Sequence, residues 1–228
     1  MMTIFIKTYQ NDLKWLKHCL KSIAKYTKGF EVVIVADANC KMDIDGWNLT
    51  QEKVFYVKPS YEGYLYQQEI KLRAFEYVDT EYVLFVDCDC IFTDHVTPQS
   101  FLNGDKPTLL KTPYEDIPEV MFWKTATEDA IGFEVNFEYM RRNGLCYRTE
   151  TIKHLWEDYS IRFLPKLKIV QNRQFSEFNL MGAYIEAYEK DLYDIVNTRD
   201  NIPYHPIRQF WSYSGLNKTD LKEIESYL

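Results

Sequence analysis

Three short apolar runs constrain this chain more than any other feature: residues 3–9 (TIFIKTY), 31–36 (EVVIVA) and 82–86 (YVLFV). Continuous apolar runs of this kind mark strands buried on both faces, as in a parallel sheet. A further strand is expected at 54–57. Helical patterns lie between the strands. Asn11 and Asp12 offer a cap before Leu13, Leu16, Leu20 and Ile23, which keep helical spacing, and Gly29 ends that helix. Residues 62–77 form a second helical pattern with Leu65, Ile70, Leu72 and Phe75 among its apolar positions. Strand, helix, strand, strand, helix, strand predicts a mainly parallel sheet covered by helices. Ligands gather at the carboxyl ends of the strands in such sheets. Thr8, Asp37 and Asp87 stand at three such ends.

The pattern loosens beyond residue 90. Thr97-Pro98 reads as a helix start and 108–112 as a strand. Helix is expected within 117–130, over 149–159, over 176–189 and at 219–228. Extended chain is expected at 138–142, 145–147 and 192–197. Residues 1–95 then make one half, and 96–228 the other, of one domain.

Composition is that of a globular protein: 46% hydrophobic and 27% charged over 228 residues. No stretch approaches the roughly 20 apolar residues of a membrane span. Lys7 interrupts the first apolar run and no small-residue cleavage site follows, which argues against a signal peptide. The five cysteines, at 19, 40, 88, 90 and 146, are odd in number and lack zinc spacing. They read as reduced thiols of a cytoplasmic protein. The net charge of −7 argues against non-specific nucleic-acid binding. Residues 139–173 run the other way, with eight Lys/Arg (141, 142, 148, 153, 162, 166, 168, 173) against three acids (150, 157, 158). That local excess suits either a solvated surface or a face for an anionic partner.

The tripeptide Asp87-Cys88-Asp89 carries the chemistry. It follows the apolar run 82–86, and strand periodicity places both carboxylates on one face, with Cys88 and Cys90 on the other. Two carboxylates on one face are hard oxygen ligands suited to Mn²⁺ or Mg²⁺. A cation is the natural means of keeping both ionised.

The run YVLFVDCDCIF resembles the DxD strand of GT-A glycosyltransferases, in which the motif binds a divalent cation and the diphosphate of a nucleotide-sugar. The segment 175–184, with Phe175-Ser176-Glu177-Phe178-Asn179 before Gly182 and Tyr184, is similar to a stretch of small bacterial and viral members. The resemblance implies a GT-A fold, with 1–95 as the nucleotide-sugar donor half and 96–228 as the acceptor half, and transfer of a sugar from a nucleoside-diphosphate donor such as a UDP-sugar. It implies that Thr8, Tyr9 and Asp37 surround the base and ribose, that Asp87 touches ribose or metal, and that Asp89 is the main metal ligand. Gln67 and Lys71, one helical turn apart, can both face the site, with Lys71 either offsetting the diphosphate charge or standing as a surface lysine. His205, in Pro203-Tyr204-His205-Pro206, is the candidate C-terminal metal ligand that the resemblance implies, beside an alternative role as a structural or surface histidine.

Glu177 is the candidate general base toward the acceptor hydroxyl, beside an alternative role as a first-turn helix residue after the Ser176 cap. Glu128 and Asp129 form a second acidic pair. The acceptor is either a glycan or a hydroxymethylated DNA base; for DNA, Arg141-Arg142 and Lys166 with Lys168 would contact phosphate. Three rival classes share parts of the pattern. A sugar nucleotidyltransferase normally carries a glycine-rich loop after its first strand, where this chain has Thr8-Tyr9-Gln10-Asn11-Asp12. An Asp-x-Asp phosphatase carries its motif after the first strand of its domain. A non-catalytic nucleotide-sugar binding protein would differ only in turnover.

Overall fold

The computed structural model describes residues 1–49, 51–61, 63–167, 174–212 and 215–228. The chain begins with β1 (Met2–Thr8), α1 (Leu13–Tyr26), β2 (Phe30–Asp37), the short α2 (Lys41–Asp45), β3 (Glu52–Val57), α3 (Gly63–Leu72), β4 (Tyr82–Phe85) and β5 (Cys90–Phe92). It continues through β6 (Leu102–Asn103), β7 (Lys106–Pro113), α4 (Met121–Ile131), β8 (Phe137–Glu138), β9 (Leu145–Arg148) and α5 (Thr149–Leu167). The last elements are α6 (Glu177–Tyr184), β10 (Asp194–Asn197), β11 (Ile207–Gln209) and α7 (Lys218–Tyr227).

The apolar runs become the middle of a five-stranded sheet in the order β3-β2-β1-β4-β9. β1 pairs in parallel with β2 and with β4, and β2 in parallel with β3; β9 is the antiparallel edge. The fold is therefore a mixed, mainly parallel, Rossmann-like α/β sheet flanked by helices. Strand alternation divides the apolar residues between two cores. Phe5, Val33, Val35, Val83, Phe85 and Tyr147 face one core, shared with α3, α4, α5 and α6. Met2, Ile4, Ile6, Ile34 and Leu84 face the other, which α1 fills with Leu13, Trp15, Leu16, Cys19 and Ile23. At its end, α1 gives the Thr27 N–H to Ile23 O, and Gly29, at φ +83°, turns the chain into β2. Glycine alone adopts that conformation at no steric cost.

The second half of the chain is woven into the first. β9 completes the central sheet, and β11 pairs antiparallel with β5 just beyond the Asp87 to Asp89 segment. β5 and β11 were not foreseen; at three residues each, they lack the length that a periodic pattern needs. A separate small sheet, β10-β7-β6 with β8 alongside β7, builds the far side. Among the described residues no helix is long and apolar enough to cross a membrane. All five cysteines are free and buried.

Candidate functional site

The strand order reverses between β1 and β4. The chain steps outward from β1 to β2 and β3, then returns to the other side of β1 with β4. Loops leaving the two strands diverge there and leave a crevice at their carboxyl ends. A cavity of about 280 Å³ occupies this position, lined by Lys7, Tyr9, Asp12, Asp37, Gly63, Tyr64, Gln67, Asp87, Cys88, Asp89 and Ser212.

Asp87 and Asp89 both line it, but periodicity is not the cause. β4 ends at Phe85, and the Cys90 N–H donates to Asp87 O at 3.1 Å, closing a turn over 87–90. The carboxylates share the cavity because the turn presents them there. Each is held differently. Asp87 Oδ1 lies 2.9 Å from Lys71 Nζ, and Asp87 Oδ2 accepts from Asn143 Nδ2 at 3.0 Å. Asn143 Oδ1 accepts the Asp87 N–H in return, at 3.2 Å. Burial alone would raise the Asp87 pKa, but the Lys71 charge and these hydrogen bonds hold it below the ordinary value.

Asp89 has no cationic side chain paired with it among the described residues. Its Oδ2 accepts the Ser212 N–H at 2.7 Å, and its backbone O accepts the Phe210 N–H at 3.0 Å. Trp211, between those two donors, sits at φ +59°, a conformation unusual for a bulky residue. Backbone strain of this kind is sustained only where the surroundings over-determine it. Burial and the neighbouring Asp87 charge raise the Asp89 pKa. Asp12 is drawn in as well: burial, then Asp89, push its pKa up to about 6. Two carboxylates crowd one side of the cavity without a compensating cation, and their hard oxygens fit Mg²⁺ or Mn²⁺. Among the described residues, however, no group of three or more His, Cys, Asp or Glu side chains is arranged to hold a metal ion by itself. A bound cation would need oxygens from a ligand.

Lys7, absent from the sequence-based site, extends the Thr3 and Phe5 face of β1 to the cavity. Its Nζ lies 2.6 Å from Asp37 Oδ1 and 2.8 Å from Thr8 O. A lysine inside a run read as a buried strand was the available signal. Tyr9, Asp37 and Gln67 line the cavity as expected.

Four expectations need correction. Thr8 does not line the cavity; one residue on from Lys7, it turns to the opposite face of β1, where it is buried beside Cys88. Lys71 does not reach the cavity wall either. It is buried beneath Asp87, with Nζ also 2.9 Å from Glu177 Oε1 and 4.6 Å from the Phe178 ring centre. Glu177 is thus a buried partner of Lys71 at the start of α6, capped by Ser176, and not a base exposed to the cavity. His205 lines a different cavity, with Arg142 and Gly144, because it lies ahead of β11, and the chain reaches Asp89 only with Gln209, Phe210 and Ser212. Glu128 is occupied by Lys124 and the Val135 N–H, away from the cavity.

The basic segment is also less basic than its count. Arg141 pairs with Glu138, Arg148 with Glu81 and Lys153 with Glu150. Arg162 donates to Ile131 O. Lys168 and Arg173 lie outside the described residues, as does the side chain of Lys166.

No curated protein matches the chain. Residues 3–194, which take in β1 through the start of β10 and every cavity-lining residue except Ser212, match a family of unknown function, DUF6492, and the chain belongs to that family.

Proposed function

We propose that the protein is a GT-A-type glycosyltransferase that binds a nucleoside-diphosphate sugar, such as a UDP-sugar, in the cleft at the strand-order reversal. One observation carries the reading: Asp87 and Asp89 are presented side by side into that cleft, Asp87 neutralised by Lys71 and Asp89 without a cationic side chain among the described residues. Asp89, with Asp87 beside it, would hold Mn²⁺ or Mg²⁺ together with ligand phosphate oxygens. Bound there, the ion supplies Lewis-acid neutralisation of the leaving diphosphate.

The protein's own residues would do the remaining work. Lys7 fixes Asp37 as an oriented acceptor at the end of β2, fit for a ribose or base N–H or O–H. Tyr9 and Tyr64 offer aromatic walls, and Gln67 a polar one. Lys71, Asn143 and Glu177 act as positioning residues that lock the Asp87 carboxylate. The pairing of Arg141, Arg148 and Lys153 with acids weakens the case for a DNA acceptor and favours a glycan hydroxyl.

The test is a panel of nucleotide-sugars assayed for nucleotide release, with and without Mn²⁺. UDP-sugars should be turned over in a cation-dependent way, and Asp89→Ala should abolish turnover with the fold retained. Cation-dependent binding without release would assign a binding protein instead. Full activity in Asp89→Ala or in excess chelator would sink the metal role.

A further inference from the structure

Arg142 makes no hydrogen bond or ion pair with any described residue, and its Nη2 is buried without a partner. Arg142 is only half-buried, but a guanidinium nitrogen withdrawn from water without an acceptor loses hydration and gains nothing in exchange. The same cavity contains a second orphan. His205 Nε2 is buried and also unpartnered among the described residues. The cavity, about 70 Å³, is lined by Arg142 and His205 with Ser100, Thr108 and Tyr204 among their neighbours; the Tyr204 hydroxyl itself is turned to Asp94 at 3.4 Å, and none of the described lining residues is Asp or Glu. A cavity free of acids around an uncompensated arginine stands out in a chain of net charge −7.

From this convergence we infer that the Arg142–His205 cavity is an oxyanion site that takes a phosphoryl group, either free phosphate or the phosphate of a monoester. The guanidinium fork matches phosphate oxygens in a two-point contact. The site is distinct from the Asp87–Asp89 cleft and does not depend on sugar transfer there. Arg142 is nevertheless bonded directly to Asn143, the residue that clamps Asp87.

Calorimetric titration of the full chain with inorganic phosphate and, separately, with glycerol phosphate tests this. Saturable binding is expected. It should weaken at least about tenfold in Arg142→Gln, as truncating one side of a two-point charged contact requires. Asp89→Asn should leave it unchanged. Tighter binding of the monoester assigns the group to a larger ligand, and tighter binding of inorganic phosphate assigns the free ion. Should Arg142→Gln not fold, the His205 ring signals of the unmodified protein serve instead, and must shift on phosphate addition. Absence of saturable binding to either probe, equal affinity in Arg142→Gln, or unmoved His205 signals overturns the inference.

Discussion

Lys71 Nζ, itself buried, lies 2.9 Å from Asp87 Oδ1 in the cleft wall, and the same ammonium meets Glu177 Oε1 at 2.9 Å. One buried cation therefore serves two carboxylates, one from the turn after β4 and one from α6. Lys71→Met leaves Glu177 buried without its cation and Asp87 with only its Asn143 hydrogen bond, and should cost about 3–5 kcal/mol. Glu177→Gln leaves Lys71 its Asp87 partner and should cost less. Urea unfolding of the two variants gives the order; a Glu177→Gln protein less stable than Lys71→Met would contradict it. The Asp87 pKa is depressed in the fold, so its contribution is present above the unfolded value of 3.8 and lost as pH falls through the folded one. Lys71→Met should remove that acid-limb dependence.

Asp12 should titrate near pH 6, raised by burial and then by Asp89. Between 3.8 and about 6 the folded protein then binds more protons than the unfolded chain, so this group makes stability fall as pH rises. Asp89→Asn should lower the Asp12 value. Mg²⁺ with UDP should lower it too if a cation settles between the carboxylates. Carboxyl carbon NMR follows the titration; a curve unmoved by saturating Mg²⁺ and UDP speaks against a cation at this position.

His205 should stay neutral well below its ordinary range. Burial first, then the Arg142 charge, pushes its pKa down to about 4. The unfolded chain therefore binds the extra proton between about 4 and 6.5, and stability should drop as pH falls across that window. The loss attributable to His205 is about 3 kcal/mol at most. Urea midpoints against pH in phosphate-free buffer, for wild type and His205→Gln, should diverge across this interval. Parallel curves would show that His205 titrates normally.

Gly182→Ala should destabilise the protein even though alanine favours helix by about 1 kcal/mol. A Cβ at Gly182 would fall 2.1 Å from Tyr139 Cγ. Tyr139 is pinned at both ends, its N–H donating to Asn179 Oδ1 at 2.8 Å and its hydroxyl to Glu186, so the ring cannot retreat. Overpacking of this kind costs about 1–3 kcal/mol. A net loss of about 1 kcal/mol in thermal unfolding is expected, and a stabilised variant would show that the ring moves.

The central sheet was legible because β1, β2 and β4 are apolar on both faces, a property written in local sequence. Tyr9, Asp37, Gln67, Asp87 and Asp89 were legible for the same reason: they stand where those runs stop or one helical turn along the covering helix. Thr8 was misread although alternation alone sets it opposite Lys7. Asp12 looked like a helix cap, yet it reports the charge of Asp89.

Local sequence thus determined the strands, their helices and the edge at which polar groups collect, since period and apolarity act over a few residues. Only the tertiary structure decided which of those groups share a charge. The Lys71–Asp87–Glu177 contact joins α3, the turn after β4 and α6, and Ser212 reaches Asp89 from beyond β11. Pairing across such separations depends on how helices and strand ends pack in space, which no spacing along the chain records.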